Sequence, residues 1–397
     1  MRILTVADFF YPGVTGGASI VIYEVMRRLV ERGHQVTALI REQPGTPDAV
    51  AGMQVISYAP AKKEVLYPLS VARCVGAVSR LLATQQIDLV NAHHAFSGLA
   101  AELALKQYRE VPSVFFFHGP WHKEAQAKEG TLPDAGDSRT HLPLKYRLRR
   151  AADRFVLGSC DRVVGLSDYM KSEAAAILPG VAGKYCRIPG GVDTSRFRPV
   201  ADRLEVRRRL GLAEEGLVLL TVRRLSPRMG LEGLLRAMTT VEHERQDVSL
   251  LIGGNGDMRG HLEQLIGELG LQRTRLLGYI ADEDLPAYYQ ASDLFIMPSL
   301  SLEGFGLSTL EALACGVPVL GTPVGGTPEV LNGVLPDFVL AGTGVESLAA
   351  GILEKLSRLP DAELSLRVRR YAEGFSWDRI TDAVEQLFDG LVGCRQR

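Results

Sequence analysis

The sequence predicts an α/β protein made of two doubly wound, Rossmann-like halves, each a parallel sheet with helices on both faces. Three observations carry this expectation. Apolar strands alternate with amphipathic helices along the first 120 residues, residues 190–215 break that alternation, and a second alternation starts at Leu217. Alternation of this kind is what parallel sheets buried on both faces require. A chain of 397 residues, 46% hydrophobic and 23% charged, is long enough for two globular domains of ordinary size.

The elements follow in order. Residues 2–7 read as the first strand. Ala18, Val21, Ile22, Val25 and Leu29 come next at helical spacing, and Gly33-His34 stops that helix. Further strands are expected at 36–40, 87–93, 114–118, 163–167 and 185–189. Gly190-Gly191-Val192-Asp193 and then Arg198-Pro199-Val200 read as a loop or linker across 190–215. The second half places strands at 217–222, 248–253, 274–278, 293–297 and 317–320. An amphipathic helix near 377–392 is expected to cross back over the first domain. The predicted domains are 1–190, 191–375 and the closing helical segment 376–397. Ligands of open parallel sheets lie beyond the carboxyl ends of the strands, so a cleft between the two halves is the expected site.

Composition narrows the function. The five cysteines are scattered and contain no C-x-x-C pair, which suggests neither a zinc site nor a disulfide framework. A reducing cytoplasm is the simplest compartment. The chain enters its first strand without a charged leader, and no segment reaches the roughly 20 apolar residues of a membrane span. Any membrane contact is expected to be peripheral, at the inner face. The net charge of −1 conceals an asymmetry: residues 1–190 hold 23 basic and 17 acidic side chains, and the remainder is acidic. The basic excess gathers at Lys145, Arg147, Arg149, Arg150 and Arg154 in a predicted helix. That cluster is either a solvated helix face or a surface for anionic membrane or a phosphorylated acceptor. Nucleic acid is not an expected partner, since the pI is near 6.7 and no binding motif appears.

Four motifs carry chemistry. Tyr11-Pro12-Gly13-Val14-Thr15-Gly16-Gly17 is a Gly-rich loop after the first strand. It is a plain tight turn or a close backbone approach to a diphosphate or acceptor, and it lacks the G-x-G-x-x-G spacing of a nicotinamide site. His118, in His118-Gly119-Pro120, ends a predicted strand and reads as structural or functional. Arg223, Arg224 and Arg228 follow another strand, and guanidinium groups suit bidentate phosphate recognition. The most specific feature is Glu303-Gly304-Phe305-Gly306-Leu307-Ser308-Thr309-Leu310-Glu311. It places one carboxylate in a loop at a strand end and the other about two turns along the next helix, with bare backbone amides between them suited to an anion.

Together these features, with Gly190–Phe197, Ile252-Gly253-Gly254-Asn255-Gly256-Asp257, Leu277–Leu285 and Phe375-Ser376-Trp377-Asp378-Arg379, resemble the retaining glycosyltransferases of family 4, whose two-domain fold is called GT-B. Nearly the whole chain takes part. The resemblance implies transfer of a sugar from a UDP- or GDP-linked donor to a sugar, lipid-linked or small-molecule acceptor, giving an α-linked product in glycan, glycolipid or glycosylated-metabolite biosynthesis. It implies that Glu303 holds donor-sugar hydroxyls and that Glu311 holds the ribose diol. Gly304, Phe305, Gly306 and Leu307 form the loop whose amides face the diphosphate and sugar. Arg224 neutralises the diphosphate, Gly16 and Gly17 approach it from the other domain, Gly254 lines the donor side, and Tyr279 and Ile280 meet the base. His118 contacts the sugar or the acceptor.

The sequence departs from the family at Met229, where a Lys usually joins the Arg aligned with Arg224. Arg223 or Arg228 is expected to restore that charge; the competing reading makes both surface charges. Arg224 and the helix amides stabilise the departing diphosphate, and no cofactor or metal is expected, no Asp-x-Asp pair of the metal-carrying type being read. Two other readings stay open: an epimerase or phosphorylase on this fold, and a non-catalytic nucleotide- or glycan-binding subunit, for which Met229 speaks. Trp121, His122, Lys123 and Arg139 are acceptor-side candidates, with surface placement the plainer expectation.

Overall fold

The computed structural model describes residues 1–11, 16–42, 49–60, 67–132 and 142–395. The chain separates into two compact units, Met1–Gly190 with Trp377–Arg397, and Gly191–Ser376. Pro12 to Thr15 of the Gly-rich loop, and Arg139, lie outside the described residues.

The first unit holds an eight-stranded sheet of β1 (Arg2–Ala7), β2 (Gln35–Arg41), β3 (Ala49–Val50), β4 (Met53–Tyr58), β5 (Leu89–His93), β6 (Ser113–Phe116), β7 (Arg162–Gly165) and β8 (Tyr185–Arg187). Its order is β3-β4-β2-β1-β5-β6-β7-β8, and every pair is parallel except β3 with β4. Ile3 through Ala7 are all buried, as a central strand covered on both faces demands. The β3–β4 pair was not expected from sequence. β4 lies toward the sheet edge, with Gln54 and Ser57 exposed and only Met53 and Tyr58 buried, so its apolar signal is weak.

The second unit holds a five-stranded parallel sheet of β9 (Leu217–Val222), β10 (Val248–Gly253), β11 (Thr274–Gly278), β12 (Leu294–Met297) and β13 (Val319–Gly321), in the order β11-β10-β9-β12-β13. In each sheet the chain order reverses beside a central strand, between β1 and β5 in one and between β9 and β12 in the other. Such switch points open crevices at the carboxyl ends of the strands.

Residues 190–215 are not all linker. Arg203–Arg209 forms a helix that Asp202 caps by accepting from the Glu205 amide. Its charged sequence hides its anchorage. Val206 packs on Ala287 and Ala291, and buried Arg207 donates to Asp293 (2.6 Å) and to the carbonyls of Ala291, Glu214 and Gly216.

The last helix, Trp377–Arg395, belongs to the first unit. Trp377, Ile380, Thr381, Val384 and Phe388 are its buried residues, and it lies against the helix Gly17–Glu31. Ion pairs tie the two together: Arg28 Nε to Asp378 (3.0 Å) and Arg32 to Glu385 (2.6 Å), with His34 Nε2 2.7 Å from the other Glu385 oxygen. Among the described residues, no helix is long and apolar enough to cross a membrane.

Candidate active site

Two constellations occupy the two switch points. In the second unit, β9 delivers Arg223 and β12 delivers Ser299. Arg223 Nη2 donates to Glu303 Oε2 at 2.7 Å and Nη1 to Ser299 Oγ at 3.0 Å, while Ser299 Oγ donates to the same Glu303 oxygen at 3.0 Å. One carboxylate oxygen thus accepts twice, and Oε1 bonds to no described side chain. The side chains of Arg223 and Glu303 are 5% and 13% exposed. Burial pushes the Arg223 guanidinium down from its usual range and Glu303 opposes that shift.

The loop carrying Glu303 is bracketed by its neighbours. The Gly326 amide donates to Glu303 O (2.8 Å), Thr322 Oγ1 to Ser299 O (2.7 Å) and Arg228 Nη1 to Leu302 O (2.9 Å). Gly325 has φ +61°, and a Cβ there would stand 2.0 Å from Glu303 O. Leu302 itself sits at φ +54°, a rare conformation for a side chain of that size.

The loop then enters the helix Leu307–Ala314. Gly306 precedes it at φ +85°, and no side chain caps it. The amides of Phe305, Gly306, Leu307 and Ser308 donate to no described residue, so four donors converge at a helix N-terminus beside Glu303. Glu311 lies about one turn into this helix rather than two, since only four positions separate it from Leu307 at the helix start. Its Oε2 accepts from Tyr289 Oη at 2.7 Å, and burial pushes its carboxyl above the usual range.

Gly254, at φ +125°, lies so close to the chain after β9 that a Cβ would fall 1.9 Å from Arg223 O. Tyr279 stands 57% exposed after β11, and Ile280 is buried against Gly253. Arg224 is exposed, and its guanidinium bonds to no described residue. Met229 is buried in a 3₁₀ turn.

In the first unit, Asp8 follows β1, His93 ends β5, His94 follows it, and His118 lies two residues past β6. His118 Nε2 is 3.0 Å from His93 Nδ1, whose other nitrogen is 2.9 Å from Asn91 Nδ2. The His93 and His118 rings stack at 5.3 Å. Burial depresses all three imidazoles, that of His118 to about 3, so they are held neutral. Asp8 accepts from Ser97 Oγ and faces His94, while burial pushes its carboxyl up. Gly16 caps the helix Gly17–Glu31 in an extended conformation; both glycines are exposed, with open space around the Gly16 Cβ position.

Residues 202–374 match the family model for glycosyl transferases group 1, and residues 15–196 match that for Glycosyltransferase Family 4. A D-inositol 3-phosphate glycosyltransferase of Geodermatophilus obscurus is 32% identical over 396 residues, spanning 94% of this chain and 84% of that protein. The chain is a family 4 glycosyltransferase. A second D-inositol 3-phosphate glycosyltransferase, from Corynebacterium jeikeium, is 29% identical to this glycosyltransferase, with coverage of 96% and 93%. Sucrose-phosphate synthase from Thermosynechococcus elongatus superposes with a TM-score of 0.83 at 23% identity, covering 99% of both chains. Anabaena HepE in complex with UDP-glucose gives 0.76 at 20% identity, covering 98% and 100%. These superpositions establish the GT-B fold.

Several expectations for the glycosyltransferase need correction. Arg223 is not a surface charge; it is buried against Glu303. His122 is not on the surface either. It is 7% exposed and stands 3.6 Å from Asp153, which also accepts from the Trp121 amide. Lys123 is engaged by Glu173 at 2.7 Å, and Trp121 lies under the Arg149 guanidinium. In the basic cluster, Arg150 and Arg154 donate to Ala176 O and Ile177 O, and Lys145 pairs with Glu129; Arg147 remains exposed beside Leu144 and Leu148. Asp282-Glu283-Asp284 does spell Asp-x-Asp. Asp284 occupies the N-cap position of the helix Leu285–Ala291, and among the described residues no cluster of three or more His, Cys, Asp or Glu could hold a metal. His93, His94, Ser299, Gly325 and Gly326 were not singled out from sequence. The Gly325-Gly326 pair after a strand was the one signal available for them.

Proposed function

We propose that this glycosyltransferase moves a hexosyl group, with retention, from a UDP-sugar to a hydroxyl of a phosphorylated inositol. The four unengaged amides from Phe305 to Ser308, beside a carboxylate with one oxygen left over, carry this reading. Such a pair offers donors to a diphosphate and one acceptor to a sugar hydroxyl. The HepE complex with UDP-glucose and the relatives named for D-inositol 3-phosphate support the choice of substrates.

In this reading Glu303 Oε1 accepts from the donor sugar, and the amides of Phe305, Gly306 and Leu307 donate to the sugar and diphosphate. Arg224 adds a positive charge, Glu311 Oε1 accepts from the ribose diol, and Tyr279 and Ile280 flank the base. The bond from the anomeric carbon to the diphosphate oxygen breaks, and its electron pair stays on the diphosphate. The acceptor oxygen bonds to that carbon on the same face, and its proton passes to a diphosphate oxygen. Each preorganised donor in such a site is worth about 10²-fold or more in rate. The countercharge is assigned to Arg224 and the helix amides, with no metal. Peripheral contact with an anionic bilayer, through Leu144, Arg147 and Leu148, belongs to the same reading.

The test is incubation with UDP- and GDP-sugars, with and without D-inositol 3-phosphate and with and without chelator. The expected result is UDP release that depends on the inositol phosphate and ignores the chelator, with an α-linked product by NMR. Release only from GDP-sugars, no dependence on acceptor, or a β-linked product would overturn it.

A further inference from the structure

His118 is linked through His93 to Asn91, three side chains in a row at 2.9 and 3.0 Å. Asn91 is fully buried and His93 is 1% exposed. Hydrogen positions in such a row follow from its members. The Asn91 amide nitrogen lies 2.9 Å from His93 Nε2 and 3.9 Å from Met26 Sδ. A thioether accepts and never donates, so the nitrogen is the end of the amide that belongs there. The opposite orientation would turn both amide hydrogens toward the position where Asn91 Oδ1 now finds no partner. Asn91 therefore donates to His93 Nε2.

A neutral imidazole has one donor and one acceptor. With Nε2 accepting, the His93 proton sits on Nδ1 and points at His118 Nε2. With its Nε2 accepting in turn, His118 carries its proton on Nδ1. That nitrogen bonds to no described residue. Burial and the neighbouring imidazoles hold both rings neutral, so each keeps a single proton to place. Of the charged groups around the cluster, Asp8 acts on His94 and Arg41 acts on Asp8, while only other imidazoles act on His93 and His118.

We propose that Asn91 and His93 are positioning residues that fix His118 as the Nδ1–H tautomer, so that it meets substrate as a hydrogen-bond donor and not as a proton acceptor. Its partner is then an oxygen lone pair, on a sugar hydroxyl or on a phosphoryl group, and deprotonation of the acceptor hydroxyl is left to another group. This rests on the reading of His118 as a substrate-facing residue.

The link itself is read without substrate. Nitrogen-15 NMR of the full chain, labelled at histidine, distinguishes protonated from unprotonated ring nitrogens. The expected spectrum at pH 7 has His118 protonated on Nδ1 and bare on Nε2; the reverse pattern overturns the proposal. Asn91→Asp converts the first donor into an acceptor, so the proton of each ring is expected to move to the other nitrogen; an unchanged His118 pattern in the folded variant also overturns it. In turnover assays Asn91→Asp is expected to lower kcat by about 10²-fold, the size of one lost donor, with donor KM within about twofold. A rise in KM at unchanged kcat counts against the proposal. If the spectra are as expected and His118→Ala turns over normally, the substrate-facing reading of His118 fails while the tautomer assignment stands.

Discussion

Arg223 and Glu303 form a pair whose members cannot be exchanged singly. Both side chains are largely buried, and Glu303 takes Arg223 Nη2 and Ser299 Oγ on one oxygen. Removing one partner leaves an uncompensated buried charge, typically about 3 kcal/mol or more. Arg223→Ala is therefore expected to lower the melting temperature by several degrees and to lower donor turnover. If Arg223→Met with Glu303→Gln recovers stability without recovering turnover, the pair serves the reaction; recovery of both would make it scaffolding. The histidines give a second prediction. An unfolded imidazole takes its proton near pH 6.5, but folded His118 does so only at about 3. Between those values the unfolded chain binds more protons, so stability is lost as pH falls below about 6.5. His93 and His94 act in the same direction, and Asp8, whose carboxyl is raised, acts in the opposite one. Melting curves at pH 7.5 and 5.0 should separate for the wild type and separate less for His118→Gln, in which His93 and His94 still titrate.

At the level of elements, what could be read in advance followed local pattern, and what could not followed pairing at a distance. The loop at 303–307 was legible because Gly-Phe-Gly between an apolar strand and an apolar helix leaves few alternatives. Arg223 and Glu303 are 80 residues apart, and only the adjacency of β9 and β12 joins them. His93 read as one more strand residue until β5 lay between β1 and β6. The helix Arg203–Arg209 read as linker because its anchors are Arg207 and a single valine. Gly325 shows how the loop is held in place: its φ of +61° and the 2.0 Å approach of a Cβ to Glu303 O forbid any side chain. Gly325→Ala is expected to cost about 2 kcal/mol and to reduce donor turnover, since Glu303 must shift; a variant with unchanged turnover would show that the bracket does not set Glu303. On the helix Leu144–Ser159, the exposed Leu144 and Leu148 stand one turn apart beside Arg147. Leu144→Ser with Leu148→Ser should reduce co-sedimentation with anionic vesicles while leaving turnover on soluble acceptor intact; equal binding by the wild type and the variant would remove the membrane reading.

For the molecule as a whole, nucleotide binding is the quickest global test. A ligand that binds only the folded chain adds about 2.7 kcal/mol of stability at a hundredfold excess over its Kd. UDP is expected to raise the melting temperature of the wild type and to do so less in Arg224→Ala; no shift with any nucleoside diphosphate would count against the assigned donor side. The placement of Trp377–Arg395 has a separate consequence. The helix Gly17–Glu31 is joined by residues more than three hundred positions later, through ion pairs such as Arg28 with Asp378. On the ribosome those cations must wait for these carboxylate partners until almost the entire polypeptide has emerged. The first unit therefore begins folding early and finishes last, and prematurely terminated nascent chains would leave Arg32 and His34 without Glu385.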